Sequence, residues 1–203
     1  MTTRDFLYIL AGYLLGSILF APLCAALLGK GSVTEDSPDK NPGTSNAFVY
    51  GGFLCGMMTL AGDLTKGLLP VYCFLRQPPQ SSLALALVIA APVIGHIFPV
   101  YHGFSGGKGI ATTFGCLLGL LPLWRPVAVL VGTFLFFSVI MEITPNYYRT
   151  IVSFVCAMIL MPLLHVGAGV VLGFGIITLA VLIRLKLSSE EKEDMKVRTL
   201  WTH

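Results

Sequence analysis

Long apolar runs separated by short polar segments constrain this chain more than any other feature of its sequence. Of its 203 residues, 55% are hydrophobic and only 11% are charged, whereas about a quarter of the residues in a soluble domain carry charge. This composition predicts an integral membrane protein. The chain is too short for a separate soluble domain beside the membrane part, so we expect residues 1–203 to form a single all-α transmembrane domain.

Seven apolar runs are candidates for membrane spans, because a helix needs about 20 apolar residues to cross a hydrocarbon core about 30 Å thick. They cover Phe6–Leu28, Ala47–Leu75, Leu83–Val100, Gly109–Leu123, Val127–Ile143, Ile151–Val166 and Gly169–Leu187. The fourth run is the shortest. We therefore expect a seven-span helical bundle, followed by a solvated helix of acidic and basic residues over Ser188–Lys196.

The placement of lysine and arginine predicts the orientation of this bundle, because short cytoplasmic loops carry an excess of positive charge. With seven spans, one face holds Lys30, Lys40, Lys108, Arg149, Arg184, Lys186, Lys192, Lys196 and Arg198. The opposite face holds Arg4, Arg76 and Arg125. The N-terminus is therefore expected outside and the C-terminus in the cytoplasm. The net charge of +3 bears on this topology and does not point to a nucleic-acid partner.

The segment Gly95–Thr113 is the strongest candidate for chemistry. It reads GHIFPVYHGFSGGKGIATT, with glycines on both sides of Lys108 and an apolar run after it. Glycine lets backbone N–H groups approach a ligand, and a helix that starts here points its positive end at the same place. The pattern predicts a site for an oxyanion such as phosphate. The alternative is a glycine-rich re-entrant turn whose lysine reaches only the lipid headgroups.

A second candidate is the polar loop Asn41-Pro42-Gly43-Thr44-Ser45-Asn46. Its amide and hydroxyl side chains can donate to phosphate oxygens just ahead of a helix N-terminus, although a plain turn with a helix cap explains the same residues.

Asp63 and Lys66 lie three residues apart inside the second apolar run, where an unpaired charge costs at least about 2.5 kcal/mol. We expect them to pair with each other, as a structural polar pair, or to line a polar cavity. His96 and His102 do not have the spacing of metal ligands on one helix face, so no metal site is predicted. No cofactor site is predicted either.

In these residues the chain resembles the bacterial acyl-phosphate:glycerol-3-phosphate acyltransferases, the PlsY family. Its second motif, roughly G-H-x-F-P-V-x-x-x-F-K-G-G-K-G-V-A-T, matches Gly95–Thr112 almost throughout, with Ser105 in place of the first lysine. The N-P-G-A-T-N end of its first motif corresponds to residues 41–46, and its D-x-x-K-G to residues 63–67. The resemblance covers about residues 12–155.

The chain departs from this family in two places. Before Asn41 the family has an acidic-x-arginine pair followed by G-S-G, where this chain has Glu35 and later Pro38-Asp39-Lys40. Of the third motif, Arg184 remains, while Leu185 and Ser188 stand where histidine and asparagine are expected. A second hypothesis follows from these departures: a catalytically weak paralog that binds phosphorylated lipid intermediates or regulates the synthesis machinery. A transporter is a third, although no inverted repeat is visible.

The resemblance implies a bacterial inner-membrane enzyme that transfers a fatty acyl group from acyl phosphate to a hydroxyl of glycerol 3-phosphate, giving lysophosphatidic acid. An acyl phosphate has a good leaving group, so binding and orientation supply most of the acceleration without a nucleophile or cofactor. His96 and Lys108 are the expected catalytic residues, with His96 in a hydrogen-bonding role. The expected substrate-binding residues are Lys40, Asn41, Gly43, Ser45, Asn46, Gly106, Gly107, Gly109, Thr112 and Arg149. The acyl chain is expected between spans, open to membrane lipid.

Overall fold

The structure is a computed structural model that describes residues 1–35, 37, 39–78, 81–188 and 194–199. Within these residues the fold is helical. The α-helices are α1 (Thr3–Gly16), α2 (Phe20–Leu27), α3 (Thr44–Gly51), α4 (Phe53–Leu75), α5 (Ser82–Ile97), α6 (Ile110–Leu118), α7 (Arg125–Leu135), α8 (Asn146–Leu163) and α9 (Ala168–Leu187). A 3-10 turn at Val100–His102 follows α5, and a π-helical turn at Phe136–Ile140 extends α7.

Fewer helices than the seven predicted spans are long and apolar enough to cross a membrane. Among the described residues these are Ser82–His102, Asn146–Leu163 and Ala168–Leu187. The first apolar run is a bent pair, because α1 and α2 meet at 47°; taken as one span, it makes a fourth. The second run breaks at Gly52, whose φ of +85° is a conformation that suits glycine.

Two further runs end earlier than the sequence predicts. The fourth run, Gly109–Leu123, is helical only in the nine residues of α6, which extend about 14 Å at 1.5 Å per residue and are too short to cross a membrane. The fifth run, Val127–Ile143, is helical to Ile140 and then enters a short strand, β1 (Met141–Thr144).

A small antiparallel sheet pairs β1 with β2 (Lys196–Thr199), with Met141 opposite Thr199 and Thr144 opposite Lys196. The sequence did not predict this sheet. Of the predicted tail helix, Ser188 caps α9, residues 194 and 195 are not helical, and Lys196 begins β2; the remainder of that segment lies outside the described residues.

The core is built around α5, which is buried between α1, α4 and α9. Ile89 and Ile97 of α5 are fully buried, as are Phe154 of α8 and Phe174 of α9, whose rings stack with centroids 5.6 Å apart. Many large apolar side chains elsewhere are exposed, as expected of helices that face lipid.

Close backbone contacts bring the site-bearing helices together. A Cβ at Gly16 of α1 would overlap the backbone of Pro92 in α5, and a Cβ at Gly115 of α6 would overlap the backbone of Leu64 in α4. Small residues at helix crossings permit this approach. The consequence is that α6, although short, is fixed against the middle of α4, where Asp63 and Lys66 lie.

Candidate active site

A cavity of about 520 Å³ lies where several of these elements converge. Its wall combines the loop before α3, the N-termini of α3, α6 and α8, the middle of α4 and the end of α5. The lining residues are Asp39, Asn41, Gly43, Thr44, Ser45, Asn46, Leu60, Asp63, Leu64, His96, Lys108, Gly109, Ile110, Ala111, Phe114 and Asn146. Leu60, Leu64, Ile110 and Phe114 are the large apolar members of this lining, and most of the other members are polar.

Lys66 is buried behind this wall, with 3% of its surface exposed. Its ammonium is surrounded by three acceptor atoms: the carbonyl oxygen of Ile18 at 2.6 Å, Nδ1 of His96 at 2.7 Å and Oδ1 of Asp63 at 2.8 Å. An ammonium carries three N–H donors. The hydrogen bonds with Ile18 and His96 and the ion pair with Asp63 suit the charged form of Lys66, and they join the turn between α1 and α2 to α4 and α5.

This arrangement determines the tautomer of His96. A lysine ammonium has no acceptor, so Nδ1 of His96 must accept the hydrogen bond and the ring proton must sit on Nε2. That nitrogen lies against Gly107, where a Cβ would overlap it. His96 lines the cavity, and in this tautomer its ring has no free basic nitrogen.

Asp63 connects this cluster to the loop before α3. Its Oδ1 pairs with Lys66 and lies 3.6 Å from Nδ1 of His96. Its Oδ2 accepts a hydrogen bond of 3.3 Å from the hydroxyl of Thr44, the first residue of α3. Asp63 therefore pairs with Lys66 and also lines the cavity.

Lys108 pairs across the cavity with Asp39: its Nζ lies 3.1 Å from Oδ2 of that carboxylate. The other oxygen, Oδ1, accepts from the side-chain amide of Asn46 at 2.7 Å and from the backbone N–H of Asn41 at 3.3 Å. Burial by itself raises the pKa of Asp39, but the hydrogen bond from Asn46 and the ammonium of Lys108 outweigh it. The pKa of Asp39 is therefore lower than its usual value, and the carboxylate is charged near neutral pH.

The glycine segment before Lys108 packs onto the end of α5. The N–H groups of Gly106 and Gly107 donate to the carbonyl oxygens of Ile97 and His96, each at 3.1 Å. The guanidinium of Arg184 donates twice to the carbonyl oxygen of Gly106, at 3.0 and 2.6 Å. These two N–H groups are thus directed at α5. Gly109, with φ of +79°, lines the cavity where α6 begins.

The structure brings most of the predicted site residues to one place. On the cavity wall are Asn41, Gly43, Ser45, Asn46, Asp63, His96, Lys108 and Gly109. The others stand behind or beside that wall: Lys40 is exposed next to the loop, Thr112 is fully buried, and Arg149 donates to the side chain of Asn146, at 2.7 Å from Nη2 to Oδ1. Gly106, Gly107 and Lys66 do not line the cavity. Gly106 and Gly107 directly precede Lys108, and Lys66 contacts His96, so they act on the cavity indirectly.

Two polar residues of the wall were not predicted from the sequence: Asp39 and Asn146. Thr44, whose hydroxyl was predicted as a donor with the rest of its loop, also lies on the wall. Asp39 precedes the motif by two residues, and an acidic residue there does not suggest phosphate binding. Asn146 starts α8 after Pro145, and its position could be recognised only as a helix start.

A second, larger cavity of about 820 Å³ lies between α7 and α8. Its lining is mainly apolar, and Trp124, Arg125 and His165 lie on its wall. These residues sit at the end of α8 opposite to Asn146, so this groove is separate from the polar cavity.

The comparisons with known proteins agree with one another. The family model described as glycerol-3-phosphate acyltransferase matches residues 6–192. A relative from Chromobacterium violaceum, named glycerol-3-phosphate acyltransferase, is 37% identical over 147 residues, which are 71% of this chain and 70% of the relative. Two crystal structures of PlsY, described as an integral membrane glycerol 3-phosphate acyltransferase, superpose with a TM-score of 0.75.

Of these two structures, the lysophosphatidic acid form is 24% identical and covers 89% of this chain and 87% of that one. The glycerol 3-phosphate form is 25% identical and covers 91% and 89%. The family model alone spans most of the sequence, and the fold agrees over the same range. This chain is therefore an integral membrane protein and belongs to the glycerol-3-phosphate acyltransferase family.

Proposed function

We propose that this protein transfers a fatty acyl group from acyl phosphate to a hydroxyl of glycerol 3-phosphate and so produces lysophosphatidic acid. The observation that supports this most is the cavity itself. Lys108, His96 and the N-terminus of α6 meet there beside the Asn41–Asn46 loop. Such a set of donors suits phosphorylated substrates, and the family to which the chain belongs carries this activity in its name.

In the reaction, the hydroxyl oxygen of the acceptor attacks the acyl carbon. The ester C–O bond forms, the bond between the acyl carbon and the phosphate oxygen breaks, and phosphate leaves with the electron pair. His96 is assigned the role of hydrogen-bond donor. The hydroxyl proton passes to a phosphate oxygen, because neither His96 nitrogen is free to take it. Orientation of two bound anions supplies most of the acceleration.

The phosphate of one substrate is assigned to Lys108 and the start of α6, where Gly109, Ile110 and Ala111 line the cavity. The first N–H groups of a helix have no partner inside the helix and attract anions. Gly106 and Gly107 support this site by fixing Lys108 and His96, since their own N–H groups are bonded to α5. Thr112, buried within α6, has a supporting role as well.

The acceptor is assigned to the opposite part of the wall, with Asn41, Gly43, Ser45 and Asn46. Lys40 beside this loop and Arg149 behind Asn146 are assigned as further contacts for anions. The acyl chain is assigned to the large apolar residues of the cavity lining, Leu60, Leu64, Ile110 and Phe114. No metal or cofactor enters this scheme.

The same proposal extends to membrane topology. We assign seven membrane-embedded segments to one domain over residues 1–203, with the N-terminus outside, the C-terminus in the cytoplasm and the cavity at the cytoplasmic face of a bacterial inner membrane. The excess of lysine and arginine supports this orientation. A lone cysteine at Arg76 should react with an impermeant maleimide added to whole cells, and one at Lys40 only after permeabilisation. The reverse pattern would overturn the orientation.

The rival hypothesis, a paralog that binds its ligands but turns over slowly, is favoured by one observation. The ammonium of Lys108 is already paired with the carboxylate of Asp39, so a phosphate has to compete for it. Binding without turnover would support this hypothesis.

The deciding experiment uses purified, detergent-solubilised protein with palmitoyl phosphate and glycerol 3-phosphate. Formation of lysophosphatidic acid and release of phosphate are measured for wild type, Lys108→Ala and, as a matched control, the exposed Lys30→Ala. We expect turnover that Lys108→Ala reduces at least 100-fold and that the control retains. Full activity of Lys108→Ala would contradict the assigned site, and an inactive wild type that still binds either substrate would favour the rival hypothesis.

A further inference from the structure

We propose that Asp39 is an internal counter-anion that occupies the phosphate position on Lys108 and so sets which anions the site accepts. This inference rests on the proposed function, because it concerns the same cavity. It assigns Asp39 as a specificity-determining residue: the ligand that displaces it must be a doubly charged phosphate, and singly charged anions such as carboxylates are rejected.

The first step is the geometry of the pair. Oδ2 of Asp39 lies 3.1 Å from Nζ of Lys108, and the two side chains are 18% and 10% exposed. Both residues line the cavity. Oδ2 holds one position on the ammonium, so a phosphate oxygen that contacts Lys108 within the cavity lies beside this carboxylate or displaces it.

The two carboxylate oxygens of Asp39 have different partners. Oδ1 holds the loop, because it accepts from the amide of Asn46 and the N–H of Asn41. Oδ2 faces Lys108. The loop can therefore keep its anchor through Oδ1 while Oδ2 gives up its place to a ligand. For this reason Asn is the informative substitution: its carbonyl oxygen can replace Oδ1, and its amide removes the negative charge at Oδ2.

The third step is the local charge. Among the described residues, Asp39 faces Lys108 and Asp63 faces Lys66, so each pair is neutral. The guanidinium of Arg184 in α9 adds a positive charge near Lys108, because it donates to the carbonyl oxygen of Gly106. A singly charged ligand that displaces Asp39 replaces one negative charge beside Lys108 with another. The exchange therefore yields little binding free energy. A phosphate with two negative charges gains more from the same ammonium, from Arg184 and from the N-terminus of α6.

The test compares wild type with Asp39→Asn and with the control Glu35→Gln, which removes one negative charge from an exposed position of the same loop. Isothermal titration with inorganic phosphate gives a dissociation constant that does not depend on turnover. Steady-state assays give KM for glycerol 3-phosphate and for palmitoyl phosphate. We expect Asp39→Asn to bind inorganic phosphate about tenfold more tightly, to lower KM for at least one substrate and to gain inhibition by acetate. Glu35→Gln should behave as wild type.

The outcomes separate the two proposals. If wild type has no turnover but Asp39→Asn still tightens phosphate binding, the proposed function fails and this inference stands. If wild type is active and Asp39→Asn has wild-type or weaker phosphate binding, the inference is overturned. Asp39→Ser removes the same charge and also the carboxylate oxygen that holds the loop, so we expect it to tighten phosphate binding less than Asp39→Asn does; weaker binding than wild type in both variants means that Asp39 only anchors the loop and overturns the inference.

Discussion

Nζ of Lys66 lies 2.7 Å from Nδ1 of His96, although the two residues are 30 positions apart and on different helices. This contact fixes the ring of His96 as a donor through Nε2. It makes Lys66 a positioning residue, which acts on the cavity through another side chain.

The tautomer of His96 can be observed directly. In protein labelled with ¹⁵N-histidine, we expect the ¹⁵N shift of Nδ1 of His96 to be that of an unprotonated nitrogen and the shift of Nε2 to be that of a protonated one, because Lys66 donates to Nδ1. His96→Gln identifies the signals. A protonated Nδ1 would contradict the assignment.

His96→Gln and His96→Phe distinguish donor from general base. Glutamine can place an amide donor near the position of Nε2, whereas phenylalanine cannot donate. If His96 is a donor, His96→Gln should retain activity to within about tenfold, and His96→Phe should lose more. A general base contributes about 10²- to 10⁴-fold, so an equally large loss of kcat in both variants would show that His96 takes the proton.

Lys66→Met should destabilise the protein severely, because it leaves the carboxylate of Asp63 buried without its cation. Removing one partner of a buried ion pair costs about 3–5 kcal/mol. We expect a large fall in thermal unfolding temperature in detergent, and partial recovery in the double variant Asp63→Asn with Lys66→Met, which removes both charges. If Lys66→Met unfolded at the same temperature as wild type, Asp63 and Lys66 would not form a buried ion pair.

Gly107→Ala should reduce activity while the protein remains folded, because the new Cβ overlaps Nε2 of His96 and forces the ring or the glycine segment to move. The matched control is Gly132→Ala in α7, where a Cβ meets no atom within 4 Å. We expect a loss of at least tenfold in kcat/KM for Gly107→Ala and full activity for the control. Equal activity of the two variants would show that the spacing between Gly107 and His96 is unimportant.

The pair of Asp39 and Lys108 predicts a pH dependence. Since the pKa of Asp39 in the folded protein is below its usual value of 3.8, the pair contributes stability above that value and loses it as pH falls through the folded pKa. The difference in unfolding temperature between wild type and Asp39→Asn should be constant from about pH 5 to 8 and shrink below pH 3.8. A difference that grows on acidification would contradict the sign of the shift.

The membrane class and most of the site were accessible from the sequence for local reasons. Apolar runs identify the helices that became α5, α8 and α9, because a helix that crosses a bilayer must be apolar along its whole length. Glycines around Lys108 and the polar loop at 41–46 were recognised because turn and helix-start chemistry is local. The helix breaks after Gly16 and at Gly52 were not recognised from the sequence. Apolar residues continue across both breaks, and hydropathy does not change where the backbone bends.

What only the tertiary structure decided is which polar groups meet. The sequence predicted a helical membrane protein of this family and, as its candidate chemical residues, Lys108, His96 and the loop at 41–46. It did not show that Asp39 faces Lys108, that Lys66 sets the tautomer of His96, or that Arg184 fixes Gly106. These partners lie 30 to 78 positions apart, and their distances depend on how α4, α5, α6 and α9 pack. Hydropathy and motif spacing describe neighbours along the chain, whereas ion pairing and hydrogen bonding depend on distances of about 3 Å in space.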